Sequence, residues 1–141
     1  MLIKELMTRD VDVIRPDASL QEAARQMKAI DVGSLPVCDG NKIQGIITDR
    51  DIAIRAVADG DDPTTTKVRD VMTSDPYYCF EDQPVQEAAG TMQHYQIRRL
   101  PIVNRSKELV GIVALSDIAL YTENEKLTGA TLELVSEPNE E

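Results

Sequence analysis

The chain has 141 residues, of which 42% are hydrophobic and 28% are charged, and its formal net charge is −10. This composition is typical of a folded protein and excludes a disordered chain as the first interpretation. Duplex nucleic acid is bound mainly through basic residues, so the acidic balance argues against a nucleic-acid partner. The acidic segments 59–62 and 137–141 are interpreted as solvated, because neither has the spacing of a calcium loop.

Two cysteines and one histidine leave little material for metal or redox chemistry. Cys38 and Cys79 form no C-x-x-C pair, and we expect reduced thiols at apolar strand positions. His94 has no visible nucleophile or carboxylate partner, so we expect a surface role at a helix end. We therefore predict no metal ligand and no catalytic residue. The lack of a signal region and of a long apolar stretch predicts a cytoplasmic protein with no membrane contact.

The sequence repeats itself, and the repeat defines the organisation. Met7-Thr8 matches Met72-Thr73 at an offset of 65 residues, which also brings Leu35-Pro36-Val37 onto Leu100-Pro101-Ile102. After one inserted residue the offset becomes 66. We predict a first repeat at 1–60, a linker at 61–66, a second repeat at 67–124 and an acidic tail at 125–141.

In the first repeat, residues 11–14 alternate weakly and are interpreted as a short strand. Ser19 and Glu22 form a capping box that predicts a helix start, and an apolar stripe follows at helical spacing. Strands are predicted at 35–38 and 43–47, and a second helix at 49–58. The stripe consists of Leu20, Ala23, Ala24 and Met27.

The second repeat gives the same elements. A strand begins at Tyr77 and Tyr78, and Pro84 lies in the first turn of a helix, where proline is tolerated. Strands at 100–103 and 109–113 and a helix at 116–121 follow, and the tail has one short apolar pattern from 127 to 135. The apolar stripe is repeated by Val85, Ala88, Ala89 and Met92, and Met27 and Met92 are expected in the core.

This order predicts an α/β fold made of two β-α-β-β-α repeats. A unit of about 60 residues with few aromatic side chains is marginally stable alone. We therefore expect the two copies to pack about a pseudo-twofold axis, with two equivalent clefts at the seam.

The segment Gly45 to Asp51 carries the most informative chemistry, because a strand ends there and a helix begins. Thr48 offers a hydroxyl beside a helix start, where an anion is favoured. Asp51 offers a carboxylate that can accept hydrogen bonds from both hydroxyls of a ribose. Gly45 permits close approach of another backbone or a flat ring. The alternative is a plain helix cap, with Thr48 as N-cap and Asp51 complementing the helix dipole.

From about residue 2 to residue 122 the chain resembles a stand-alone pair of CBS domains, the regulatory modules named after cystathionine β-synthase. The features that carry the resemblance are the two Met-Thr segments, the two Leu-Pro segments and the Gly45 to Asp51 motif. The resemblance implies that one repeat holds the ribose and phosphate through Thr48 and Asp51. Residues before the Leu-Pro of the other repeat, here Arg98 and Arg99, would then contact the phosphates.

The same resemblance distributes the remaining roles over two clefts. In the stronger cleft, Arg50 faces the phosphate and apolar groups hold the purine. The weaker cleft has Ala114 where Thr48 stands, and no basic residue faces it. We therefore expect weak or no binding there. The purine contacts of the stronger cleft would be Ile14, Leu35 and Pro36, and the weaker cleft would consist of Gly33, Ser34, Pro101, Ala114, Ser116 and Asp117.

The resemblance implies a regulatory module that senses energy or stress state by binding AMP, ADP or ATP, with NAD and S-adenosylmethionine as alternatives. No cofactor is required for a reaction. We expect a homodimer and an unidentified protein target. The competing hypotheses are a ligand-free interaction or dimerisation scaffold and, third, an enzyme. The enzyme is disfavoured because the sequence has no nucleophile–base pair and no Gly-rich phosphate loop.

Overall fold

The computed structural model describes residues 1–127, and the side chains of residues 1–124. The chain divides into two compact units. We call Asp12–Pro76 the first-motif unit, because it contains Thr48 and Asp51. The second-motif unit combines Met1–Val11 with Tyr77–Glu141. The predicted apolar pattern at 127–135 lies outside the described residues from position 128 onward.

The compact units are therefore offset from the repeats along the chain. The N-terminal segment pairs with the second repeat, where Thr8 N donates to Ile112 O at 2.8 Å. The equivalent segment of the second repeat pairs with the first, where Thr73 N donates to Ile46 O at 2.9 Å. The predicted linker at 61–66 is joined to the first-motif unit, because Thr66 O accepts a hydrogen bond from Leu20 N. The predicted boundaries describe the duplication in the sequence and not the compact units, and they stay a prediction.

The first-motif unit contains a helix, a hairpin and a second helix. Helix α1 spans Leu20–Ile30, strands β1 and β2 span Ser34–Asp39 and Lys42–Thr48, and α2 spans Asp49–Asp51. The second helix continues as π-helical turns over Ile52–Val57. A 3-10 turn at Val68–Asp70 precedes the Met-Thr segment.

The second-motif unit repeats this pattern with a longer final helix. A 3-10 turn lies at Ile3–Glu5, β3 spans Cys79–Phe80, and α3 spans Val85–Tyr95. Strands β4 and β5 span Arg99–Val103 and Leu109–Ala114, and α4 spans Leu115–Leu127. In each unit the two longer strands form an antiparallel pair with a bulge, and β3 adds in parallel to β4.

The predicted α/β class is confirmed, and so is the capping box at the start of α1. Glu22 N donates to Ser19 Oγ at 3.1 Å, and Ser19 N donates to Glu22 Oε1 at 3.2 Å. This arrangement satisfies backbone donors that a helix start leaves without partners. In α3 the prediction is off by one position, because Pro84 is the N-cap with extended backbone angles and the helix begins at Val85.

The two short strands before the helices were predicted too long. In the first repeat only Ile14 pairs, through a parallel bridge to Val37, because Asp12 and Val13 are exposed. In the second repeat Tyr77 and Tyr78 precede the strand, which consists of Cys79–Phe80. Tyr77 instead stacks on the ring of Tyr95, with centroids 5.1 Å apart. The predicted β-α-β-β-α order is thus present with its first strand reduced to one or two residues.

Each unit has its own apolar core built mainly from aliphatic side chains and methionine. Leu20, Ala23 and Met27 of α1 enter one core, as the helical spacing predicts. Val85, Ala88 and Met92 of α3 enter the other. The prediction fails for Ala24, which is exposed, and holds only in part for Ala89. Both methionines are buried, as expected. The repeated stripe therefore places the same face of each first helix inward.

The two cysteines are buried free thiols in β1 and β3, as predicted. Burial raises the pKa of the Cys38 thiol from 9.0 to about 11, and burial is also the main cause of the raised pKa of Cys79. Because the thiolate is the reactive form, we expect neither thiol to react with 5,5′-dithiobis(2-nitrobenzoic acid) at about pH 7.5 before unfolding. After unfolding in guanidinium, two equivalents should react. Fast labelling of the folded protein would contradict the buried placement.

The raised pKa of Cys38 also has a direction in stability. Since the thiol is harder to ionise when folded, its contribution to stability is complete below about pH 9 and is lost as the pH rises through about 11.

Candidate functional site

The turn between β2 and α2 is a reciprocal cap. Asp51 N donates to Thr48 Oγ1 at 2.9 Å, and Thr48 N donates to Asp51 Oδ2 at 3.1 Å. Thr48 has extended backbone angles and is the N-cap, so the capping interpretation from the sequence is correct for this pair. These two hydrogen bonds therefore hold both side chains in place at the C-terminal end of β2 in the absence of a ligand.

Asp51 is the buried charged residue of the described part of the chain, with 8% of its surface exposed. Its carboxylate has three polar neighbours. Oδ2 accepts from Thr48 N and lies 3.5 Å from Thr73 Oγ1. Oδ1 lies 3.8 Å from Arg55 Nε. A buried carboxylate is stable only when hydrogen bonds and a cation compensate for lost hydration, and these neighbours supply both.

The segment before Thr73 is attached to this carboxylate through Arg55. Arg55 Nη1 donates to Val71 O at 3.3 Å and to Met72 O at 3.4 Å. The same guanidinium faces Asp51, four residues earlier. Neither Arg55 nor Thr73 was among the predicted site residues. The signals for them were the four-residue spacing to Asp51 and the position of Thr73 in a repeated Met-Thr segment.

Gly45 is required by the close approach of that Met-Thr segment. A Cβ built on Gly45 would lie 2.5 Å from Thr73 O and 2.9 Å from Met72 Sδ. Of the two interpretations offered for this glycine, the structure supports approach of a backbone. Gly111 repeats the arrangement, because a Cβ there would lie 2.5 Å from Met7 Sδ. The Gly motif and the Met-Thr segment are therefore two sides of one contact.

The three predicted purine contacts lie in the same unit, and all three are buried. Ile14 and Pro36 are neighbours, since Ile14 N donates to Pro36 O at 3.0 Å. Leu35 is 1% exposed and packs in the apolar core, and its purine contact stays a prediction. Arg50 is exposed in the first turn after Thr48.

The residues before each Leu-Pro segment lie beside the strand-to-helix turn of their own repeat. Gly33 O accepts a hydrogen bond from Asp49 N at 2.9 Å, and Ser34 pairs with Thr48. In the other unit, Arg98 O accepts from Leu115 N at 2.8 Å.

The second motif keeps half of the cap. Ala114 N donates to Asp117 Oδ2 at 2.8 Å, whereas no hydroxyl stands at position 114 to return the bond. Tyr121 occupies the position equivalent to Arg55 and is buried. Ser116 is exposed on the first turn of α4, Arg99 pairs with Ala114, and Pro101 is buried opposite Ile112.

The predicted site residues fall into two groups. The first-motif unit holds Gly33, Ser34, Thr48, Arg50, Asp51 and the three predicted purine contacts. The second-motif unit holds Arg98, Arg99, Pro101, Ala114, Ser116 and Asp117. Each predicted cleft takes residues from both groups, so the two clefts stay predictions, and so does the phosphate role of the two arginines.

The polar groups of the site are a carboxylate and hydroxyls. Within the described residues, no group of three or more His, Cys, Asp or Glu side chains is placed to hold a metal ion. His94 is exposed near the end of α3 and contacts the ring of Tyr95 at 4.8 Å. A fixed carboxylate and hydroxyls next to exposed surface can accept and donate hydrogen bonds to a polar ligand.

Comparison with known proteins identifies the family. The sequence profile of the CBS domain matches residues 3–57 and again residues 68–124. The chain belongs to the CBS-domain family. The CBS domain-containing protein YhcV of Bacillus subtilis (strain 168) is 39% identical over 137 residues, covering 97% of this chain and 96% of that protein.

A second relative of this CBS pair is Hypoxic response protein 1 of Mycobacterium tuberculosis (strain ATCC 25618 / H37Rv). It is 35% identical over 119 residues, covering 84% of this chain and 82% of that protein. The crystal structure of Hypoxic Response Protein I with two coordinated zinc ions matches with a TM-score of 0.77 and 34% identity, covering 85% of this chain and 98% of that one.

A second solved structure, that of CBSX2 in complex with AMP, matches with a TM-score of 0.76 over 89% of this chain and 98% of that one. Its identity is 22%, so the likeness shows the fold. Stand-alone CBS-pair proteins are regulatory modules and not catalysts. Among residues 1–127 we find no helix with both the length and the apolar character needed to cross a bilayer.

Proposed function

We propose that this CBS pair is a regulatory module that binds an adenosine-containing ligand through Thr48 and Asp51. Asp51 is the observation that carries the proposal. Its Oδ1 accepts no hydrogen bond from the described residues and is 3.8 Å from the nearest cation, Arg55 Nε. A carboxylate oxygen held in place with open acceptor positions suits a ribose hydroxyl, which is a neutral donor.

Thr48 can cap the helix and bind a ligand at once. Its oxygen accepts the hydrogen bond from Asp51 N, which leaves the hydroxyl hydrogen unused by that bond. A threonine hydroxyl is one donor as well as an acceptor, so it can donate to a phosphate oxygen while it caps the helix. The capping interpretation is therefore compatible with the ligand-binding one.

The ligand class follows from the ribose contact and from the fold. AMP, ADP and ATP share the ribose that Asp51 would hold, and CBSX2 has this fold in complex with AMP. NAD and S-adenosylmethionine contain the same adenosine and belong in the same test. A homodimer, an unidentified protein target and a cytoplasmic location stay predictions.

The competing function is a ligand-free scaffold. It is favoured by the partners that Asp51 already has within its own unit, because these satisfy much of the carboxylate without a ligand. It also fits the second motif, where Ala114 removes the hydroxyl.

A thermal-shift titration separates the two functions. Ligand that binds only the folded state at a concentration of about 100 Kd stabilises by about 2.7 kcal/mol, which raises Tm by about 5 °C or more in a protein of this size. We expect this concentration-dependent rise with AMP, ADP or ATP, a smaller rise with GMP, which shares the ribose and phosphate, and no rise with inorganic phosphate. No shift with any of the adenosine ligands, NAD and S-adenosylmethionine included, would favour the scaffold.

A further inference from the structure

Arg55 connects three parts of the first-motif unit that are far apart in the sequence. Its Nε faces Asp51 Oδ1 at 3.8 Å, and its Nη1 donates to Val71 O and Met72 O. The next residue, Thr73, has its hydroxyl 3.5 Å from the other oxygen of Asp51. One guanidinium therefore lies between the carboxylate and the segment that presents a second hydroxyl to it.

The backbone of the same segment is held on its other side. Thr73 N donates to Ile46 O, and Ile46 N donates to Thr73 O, both at 2.9 Å. This pairing fixes Thr73 along the strand, whereas the contacts of Arg55 fix the approach of residues 71 and 72 to the second helix. Arginine suits this position because its planar group offers several donors in a fixed geometry.

The second repeat has a different side chain at the position of Arg55. Thr8 pairs with Ile112 as Thr73 pairs with Ile46, so the backbone contact is conserved between repeats. Tyr121 is at the position equivalent to Arg55. Asp117 Oδ2 accepts the capping hydrogen bond from Ala114 N. The difference between the repeats therefore includes the group that organises the aspartate, in addition to the threonine.

We propose that Arg55 is a positioning residue that holds Asp51 and Thr73 in place to recognise the 2′ and 3′ hydroxyls of a ribose, so that it sets the preference for ribose over deoxyribose. This inference rests on the proposed function and specifies which part of the ligand the site selects. Asp51 accepts from the ribose hydroxyls, and Thr73 is the second contact. Arg55 itself is 55% exposed at its side chain and acts through these two residues.

The test compares the affinities of AMP and 2′-deoxy-AMP by isothermal titration calorimetry. In the unsubstituted protein we expect a preference for AMP of about tenfold or more, the size of one hydrogen bond to a charged acceptor. Arg55→Met should reduce this preference to about threefold or less, because Asp51 Oδ1 loses its cation and residues 71 and 72 lose their side-chain contact with the second helix. Arg55→Lys, which keeps the charge but not the planar group, should give an intermediate preference.

Arg25→Met is the matched control, because Arg25 is an exposed arginine on α1 of the same unit. Its preference for AMP should equal that of the unsubstituted protein, and circular dichroism verifies that every variant is folded. An Arg55→Met protein that loses the same factor for both ligands, or that prefers AMP more strongly, overturns the inference. Adenosine is titrated as a third ligand, and a loss for AMP without a loss for adenosine also overturns the inference, because it would assign Arg55 to the phosphate. If the unsubstituted protein binds no adenosine ligand, the proposed function itself fails.

Discussion

Asp51→Ala is expected to abolish AMP and ATP binding at the main site, whereas Asp117→Ala is expected to leave most of it intact. A ribose that donates two hydrogen bonds to a carboxylate gains about 1.5–3 kcal/mol from each, so the loss at Asp51 should be about 100-fold or more in affinity. Asp117 lies in the motif whose hydroxyl is replaced by Ala114. We therefore expect a change of less than about threefold there. Calorimetric titration of both variants measures the difference.

The two variants share the loss of one backbone cap. Asp51 Oδ2 accepts from Thr48 N, and Asp117 Oδ2 accepts from Ala114 N. Both substitutions should therefore lower the free energy of unfolding without ligand, by about 1 kcal/mol for the lost cap. Asp51→Ala should lower it further, because it also removes the contacts with Thr73 and Arg55. The role of each aspartate in binding is therefore read from the ligand affinities of the two variants and not from their stabilities. Equal losses of affinity would refute the proposed inequality of the two motifs.

Gly45→Ala is expected to destabilise the first-motif unit strongly. The added Cβ would lie 2.5 Å from Thr73 O, and that carbonyl is held by the hydrogen bond from Ile46 N. Because a paired backbone cannot move aside easily, overpacking here should cost about 2–3 kcal/mol, at the upper end of what such changes cost. Urea unfolding of the variant, compared with the unsubstituted protein, measures the loss of unfolding free energy.

Gly90→Ala is the matched control for this substitution. Gly90 lies within α3, and a Cβ there meets no atom within 4 Å. Since alanine is a better helix former than glycine, the control should gain about 1 kcal/mol. Gly111→Ala should fall between the two, because its shortest contact is to the flexible side chain of Met7. If the Gly45→Ala protein had the same free energy of unfolding as the Gly90→Ala control, the Met-Thr segment would move aside for the added Cβ without loss of stability.

The sequence alone was sufficient for features that depend on local pattern. The cap of Ser19 and Glu22, the inward stripes of α1 and α3 and the strand-to-helix turn at Thr48 each involve residues three or four apart. Their geometry follows from helical periodicity and backbone donors, so the duplication could be translated into elements directly. The strand predicted at 11–14 failed because alternation does not provide a partner, and only Ile14 finds one.

The site required information that no local pattern contains. Thr73 and the carbonyls of Val71 and Met72 reach Asp51 and Arg55 across 16 to 22 residues of chain. The sequence marked Thr73 as a repeated residue and Gly45 as a close approach, but it did not show that these two belong together. The purine role of Leu35 came from the family resemblance and stays a prediction, and its side chain lies in the core.

Each Met-Thr segment packs on the other repeat, so the boundaries of the sequence repeats differ from the boundaries of the compact units. The repeats were duplicated as consecutive blocks, yet Met1–Val11 is part of the body formed with Tyr77 and the residues after it. A cut between the two repeats would separate each Met-Thr segment from the strand that it pairs with. A substitution at Met7 should accordingly change the packing at Gly111, and a substitution at Met72 should change the packing at Gly45. The Asp12–Pro76 unit, and not the first repeat, contains both partners of the contact between Gly45 and the Met72-Thr73 segment.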